Sequence, residues 1–376
     1  MIDFELSEEQ QMIRDTVGAF ALEQMRPAAR EADETGTIPA SLIEQLWELG
    51  VVVQSAIPEK FGGAGDARSA VTGAVIAEEL GYGDAAIAAH AMAPRLLAFP
   101  ILEAGTEAQR ERYLKTFAAP KFVPATAALM EPRFDFDTTM LATSVRREGA
   151  GLVLNGKKCF VPLAAESESI LVYASSATST SSDPSAGYKG VEGFIVPRNT
   201  PGLTISEREK NMGFKALATY GLEFKDCKIG PEARLGGEGG INFSRIMSET
   251  RVALAAMAVG MARAAYDYAR EYAKERRAFG AAIAQKQAIA FILADMAIEV
   301  DASRLLVWEA AWELDRGEDA LASSYMAKNY IAASVMKIAD NAVQVLGGHG
   351  YIREHPVELW LRNARGLAAL DGIVTV

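Results

Sequence analysis

The sequence predicts an α+β protein that is mainly helical. It divides into an N-terminal helical domain over residues 1–120, a middle β-sheet or β-barrel domain over 121–237, and a C-terminal four-helix bundle over 238–376. Three observations carry this. Apolar residues recur at helical spacing to about Ala118, short strand-like segments follow from Lys121, and three long helical runs come after Gly240. A chain of 376 residues is long enough for two or three domains, so the division matches the length.

Ser7 and Gln10 form a capping box, and Ile13, Val17, Phe20 and Ala21 recur on one face ahead of Pro27. Pro39 opens a helix over 40–49 that turns Leu42, Ile43 and Leu46 inward and stops at Gly50. Val71 to Leu80, Ala85 to Met92 and a segment capped by Thr106 and Gln109 continue the block. In the middle region Leu152, Leu154, Asn155-Gly156 and Lys157 to Val161 read as a hairpin, because Asn-Gly supplies the two positive-φ positions of a type I′ turn. Ser169 to Ala174, Val191 to Val196 and Leu222 to Ile229 read as strands, with a turn at Asn199-Thr200-Pro201-Gly202. Ser175 to Gly187, rich in Ser, Thr and Ala, reads as a mobile surface loop. The closing helices are Phe243 to Arg276, Gln285 to Arg316 and Ala320 to Leu346. Ile289, Leu293, Met296 and Val300 form one stripe on the second, prolonged by Trp308 and Trp312.

Thirty-eight basic against 49 acidic residues give a net charge of −11, with the cations scattered, which argues against a nucleic-acid partner. Cys159 and Cys227 are far apart and match no disulfide framework or zinc spacing, so a reducing cytoplasm is the expected home. Three histidines leave few candidates for a metal centre or a Ser-His-Asp triad, and no apolar run is long enough to span a membrane.

Glu131-Pro132, Leu154 to Lys158, Asn211-Met212-Gly213, Thr250-Arg251, Glu275 to Gly280 and Gln344 to Tyr351, in this order and spacing, resemble the acyl-CoA dehydrogenase family over essentially the whole chain. The resemblance implies a flavoenzyme. Its carboxylate removes the α-proton of an acyl-CoA thioester while the β-hydrogen leaves as hydride to N5 of FAD, and an electron-transfer flavoprotein or similar acceptor reoxidises it. It also implies that FAD lies at a subunit interface. Arg276 would then pair with pyrophosphate, Phe279 would pack on the cofactor, and Gln344 with the Gly347-Gly348 backbone would approach it, all donated to a neighbour's site. Read without the resemblance, Arg276 is a solvated helix end, and Gln344 to Gly348 is a helix with a glycine cap.

The positions that would serve the chain's own site depart from the family pattern. Ahead of Glu131 the usual tyrosine and threonine are replaced within Ala127-Ala128-Leu129-Met130, and the Trp-Ile-Thr after Lys158 is Phe160-Val161-Pro162. Both exchanges remove flavin-facing hydroxyls. The small glycine-rich turn after Pro132 is Arg133-Phe134-Asp135-Phe136-Asp137, and the aromatic-Glu-Gly-Thr motif of the catalytic base is Leu370-Asp371-Gly372-Ile373. Asp371 withdraws the carboxylate by roughly 1.5 Å relative to glutamate. The alternative base position ahead of Arg251 holds Thr250, and Glu249 points about 100° around the helix. Arg251 is a candidate for ordering substrate.

The resemblance therefore leads to three expectations. In the first, the chain is one subunit of a heterotetrameric acyl-CoA dehydrogenase, acting on a substrate such as a steroid side-chain CoA ester, and lends FAD contacts to a second, catalytic subunit. In the second it is a self-sufficient homotetramer with Asp371 as base. In the third it is a silent scaffold of the same fold.

Overall fold

The computed structural model describes residues 5–65, 68–176, 188 and 190–376. Helix α1 (Glu8–Phe20) opens on the expected box, with Gln10 N donating to Ser7 Oγ and Ser7 N donating to Gln10 Oε1. The helical path does not stop at Pro27. One π turn over Ala21–Met25 lets α2 (Arg26–Thr35) begin with the proline in its first turn, where no N–H is required. Helix α3 (Ala40–Glu48) buries Leu42, Ile43 and Leu46. Then come α4 (Ala70–Gly83), α5 (Ala85–Met92), α6 (Arg95–Ala104) and α7 (Glu107–Phe117). Helix α6 escapes the sequence reading because Pro100 lies inside it.

The middle sheet comprises β1 (Thr126–Ala128), β2 (Ser144–Glu148), β3 (Gly151–Pro162), β4 (Ser169–Ser176), β5 (Val191–Pro197), β6 (Leu203–Arg208) and β7 (Thr219–Ile229). The order is β1-β4-β2-β3-β7-β6, with β5 antiparallel to β4. The expected type I′ turn at Asn155-Gly156 is not there. The pair sits inside β3, at a register shift against β7, and Gly156 has φ 145 because a Cβ would lie 2.6 Å from Thr143 Cα. Asn155 instead ties the neighbouring strand, its Oδ1 accepting from Asp226 N at 2.9 Å. The β2–β3 turn falls at Gly149-Ala150, with Gly149 at φ 62. Of the expected loop, Ser175 and Ser176 belong to β4, and residues 177–187 lie outside the described residues.

The C-terminal block is α8 (Phe243–Glu275), a ribbon of β8 (Arg277–Ala278) and β9 (Ala281–Ala282), α9 (Gln287–Asp315), α10 (Leu321–Leu346), the short α11 (Gly348–Tyr351) and α12 (Val357–Leu367). Helix α8 packs against α9, α10, α12 and, from the N-terminal block, α4. At the α4 crossing a Cβ on Gly260 would fall 1.9 Å from Glu78 O, so glycine permits that approach. Leu293, Met296 and Val300 are buried as expected, but the stripe continues through Val307, Ala311 and Leu314. Trp308 and Trp312 are only half-buried, because seven residues on from Val300 is Val307. After α12, Ile373, Val374 and Val376 enter the core, where Arg68 and Arg95 donate to the Val376 and Thr375 carbonyls at 3.0 and 3.4 Å. Among the described residues no single helix is long and apolar enough to cross a membrane.

Candidate functional site

Asp371 lies in the turn after α12. Gly372 at φ 64 reverses the chain there, and a Cβ on it would meet Leu129 Cδ2 at 2.6 Å, so the turn packs directly on the end of β1. Met130, which stands where the family carries threonine, fills this contact: its Sδ accepts from Asp371 N at 3.3 Å. The Asp371 carboxylate faces a cavity of about 990 Å³, lined also by Phe136, Tyr188, Phe243, Arg251 and Lys328. Lys328 Nζ lies 3.0 Å from Asp371 Oδ1. That oxygen has no hydrogen-bonding partner among the described residues, so the contact is an ion pair without a directed hydrogen bond.

Arg251 shares the cavity with Asp371. It is buried; its Nη2 donates to Tyr188 Oη at 2.9 Å, its guanidinium lies 5.1 Å from the Tyr325 ring centroid, and its Nε has no partner among the described residues. The neighbouring positions are committed elsewhere. Thr250 Oγ1 donates to Met247 O at 3.0 Å, and Glu249 is held by Arg68 and by Arg245 at 3.2 Å. Of the two bulky replacements after Pro132, Phe136 lines the cavity and Phe134 is fully exposed. Asp137 is held below the ordinary carboxylate range by the hydroxyl and N–H of Thr139.

Around the other departures is a smaller cavity of about 230 Å³, lined by Phe160, Met212, Phe214, Leu217, Leu370 and Ile373 among others. It is below the usual size of a small-molecule site. Its one lining hydroxyl, on Thr219, accepts from Asn211 Nδ2 at 3.0 Å. Phe160 is held at φ 51, its N–H donating to Glu209 at 3.2 Å. Behind it, Lys158 is buried against Glu131 at 3.0 Å and donates to Leu129 O at 2.8 Å; Glu131 also accepts from Ala142 N and Thr143 N. Burial opposes the charge on Glu131, but Lys158 and the two N–H groups bring its carboxyl below the ordinary range, while burial pushes Lys158 down to about 8.

The remaining candidates lie on the surface. Arg276, at the C-terminal end of α8, is exposed, and Phe279 at the tip of the β8–β9 ribbon is 96% exposed at φ 52. Gln344, Gly347 and Gly348 are exposed at the end of α10; Gly347 has φ 59, and no atom lies within 4 Å of where a Cβ on either glycine would be. Tyr272, one turn before Arg276, bonds His349 Nδ1 at 2.8 Å, beside Gly348, and so holds the two element ends together. His355 is bonded to Tyr268 at 2.7 Å and stacks on His349 at 5.4 Å.

Three models of acyl-CoA dehydrogenase domains match the chain in succession: the N-terminal domain over 7–121, the middle domain over 126–227 and the C-terminal domain over 237–374. The chain belongs to the acyl-CoA dehydrogenase family. It is an oxidoreductase of that kind by descent. It is 35% identical over 372 residues to the mitochondrial short-chain specific acyl-CoA dehydrogenase of Rattus norvegicus, covering 98% of this chain and 88% of the relative. Butyryl-CoA dehydrogenase from Megasphaera elsdenii superposes with a TM-score of 0.85 at 32% identity, covering 97% of this chain and 95% of that one. The FAD complex of PigA superposes with a TM-score of 0.86 at 26% identity, covering 97% and 94%.

Lys328, Tyr188 and Tyr325 are among the cavity residues the sequence reading missed. Lys328 carried a readable signal: it falls on the buried face of α10 with Ser324, Ile331 and Val335, where a lysine needs a partner.

Proposed function

We propose that this member of the acyl-CoA dehydrogenase family is a subunit of a heteromeric, FAD-dependent acyl-CoA dehydrogenase, and that it lends FAD contacts to a partner's active site while its own site is degenerate. The observation that carries the reading is the asymmetry between the two groups of residues. Arg276, Phe279, Gln344, Gly347 and Gly348 are exposed among the described residues, whereas Met130 packs on the Asp371 turn and Phe160 and Ile373 line a small apolar cavity where the flavin-facing hydroxyls would stand.

The exposed edge fits a dinucleotide: a cation for pyrophosphate, an aromatic face, and glycine backbone that a phosphate or ring can approach. The small apolar cavity does not fit an isoalloxazine, having neither the volume nor free hydroxyls for the ring. When bound at the shared interface, FAD supplies the acceptor for the hydride. This chain's residues would orient the dinucleotide and exclude water from it. Asp371 is a weak candidate for the base, since its carboxylate is one methylene shorter than a glutamate and is engaged by Lys328 at 3.0 Å. A steroid side-chain CoA ester as substrate, an electron-transfer flavoprotein as acceptor and a reducing cytoplasm complete the proposal. The free Cys159 and Cys227 are consistent with that compartment.

A second reading, a self-sufficient homotetramer with Asp371 as base, is favoured by one observation: Asp371 and Arg251 do share the large cavity. Purifying the chain alone and with a neighbouring acyl-CoA dehydrogenase gene product separates the readings by flavin absorbance and acyl-CoA oxidation. A colourless chain that forms a yellow, active complex supports the proposal. An isolated chain that is yellow and loses turnover on Asp371→Asn contradicts it.

A further inference from the structure

The cavity of about 990 Å³ that holds Asp371 carries a charge that the chain does not balance. Among the described residues five charged side chains line it: Asp137, Arg251, Asp319, Lys328 and Asp371. The two cations are buried, Arg251 at 6% and Lys328 at 8% exposure. Lys328 is matched by Asp371 at 3.0 Å. Arg251 is not matched. Its partners among the described residues are the Tyr188 hydroxyl at 2.9 Å and the Tyr325 ring at 5.1 Å; no carboxylate pairs with it, and its Nε has no hydrogen-bonding partner. A buried guanidinium without a counter-ion is costly, so an anion from outside the chain would complete the site.

The two remaining acids limit which anion that is. Asp137 and Asp319 are exposed, and each is held by local backbone, Asp137 Oδ1 accepting from Thr139 N at 2.7 Å and Asp319 Oδ1 from Leu321 N at 3.1 Å. They stand on the solvent side of the cavity and repel an entering anion in proportion to its charge. A single carboxylate is therefore favoured over a phosphate dianion or a molecule with several phosphates. The walls define the rest of the ligand. Phe136, Tyr188, Phe243 and Tyr325 line the same space, and Tyr188 meets Phe243 edge-on at 5.3 Å. Aromatic faces and edges favour a flat ring, and the volume, at the upper end for small-molecule sites, admits a fused one.

We infer that this cavity binds a ring-bearing monocarboxylate as the free anion and not as a thioester, its carboxylate on the Arg251 guanidinium and its ring among the aromatic walls. The inference goes beyond the donor-subunit reading: it gives this chain a ligand of its own, in a cavity for which that reading has no use.

Isothermal titration calorimetry on the purified chain, at about pH 7.5 where a carboxylate is ionised, tests it with naphthalene-2-carboxylate as the probe. Naphthalene-2-carboxamide is the neutral isostere; hexanoate, inorganic phosphate and coenzyme A are the comparisons. Naphthalene-2-carboxylate should saturate a single site and bind at least about tenfold more tightly than the carboxamide and than each comparison. Arg251→Gln should weaken the carboxylate at least about tenfold and leave the carboxamide within about twofold, a split that a purely structural role for Arg251 would not produce. Circular dichroism checks that the variant is folded, and the wild-type comparison of carboxylate with carboxamide does not depend on it. Equal affinity for those two, tighter binding of phosphate or coenzyme A, no saturable binding, or a variant that weakens both naphthalene ligands alike overturns the inference. None of these results is read from flavin content, so this failure is distinguishable from failure of the donor-subunit reading.

Discussion

Lys158 shows how much a single side chain holds in this fold. Its ammonium is fully buried with two partners, the Glu131 carboxylate and the Leu129 carbonyl, and so fixes the end of β1 against β3 just where Met130 meets Asp371. Lys158→Met should cost about 3–5 kcal/mol in urea unfolding, because it strands a buried carboxylate. Asp371 should matter far less. Replacing it by asparagine should leave the turnover of the purified assembly within about twofold, since a base needed for the reaction would cost far more. The exchanges at Ala127, Met130, Phe160 and Pro162 were legible in the sequence, because each falls inside a motif that fixes its register. The Lys328–Asp371 pair was not, since it joins residues on separate elements that only the packing of α10 on the last turn brings together.

At the level of elements, the helices were read well because their apolar periodicity is long, and the errors lie where a local signal was overruled. Asn155-Gly156 carries turn chemistry, yet the close approach of Thr143 uses the glycine for a bulge inside a strand. The ribbon at Arg277–Ala282 presents Phe279 at positive φ, a conformation that costs a non-glycine residue about 1 kcal/mol. Phe279→Gly should therefore stabilise the isolated chain by up to about 1 kcal/mol in thermal unfolding, and yet lower flavin retention in the assembly. Helix α5 carries a different liability. Burial lowers His90 to about 4, helped by the Arg208 charge, and its ring stacks on Phe122 at 5.5 Å. The unfolded chain binds that proton more tightly, so stability present above pH 6.5 should fall as pH drops toward 4, by on the order of 2 kcal/mol. His90→Gln should flatten that decline in pH-dependent urea unfolding.

For the whole molecule, three blocks of secondary structure follow the order the sequence implies, and the chain is a member of the acyl-CoA dehydrogenase family across all three. What the sequence could not supply is which surfaces remain free once the blocks pack. The exposed edge of Arg276, Phe279, Gln344 and Gly347 is a property of the folded surface, and none of these residues lines the cavity that holds Asp371. The central claim is that this edge serves a dinucleotide only when a partner completes the site. Titrating the purified, isolated chain into FAD and following flavin fluorescence tests it most directly. No saturable quenching by the chain alone, with flavin retained in the assembly and lost on Arg276→Ala, is the predicted result; saturation at one flavin per isolated chain would contradict it.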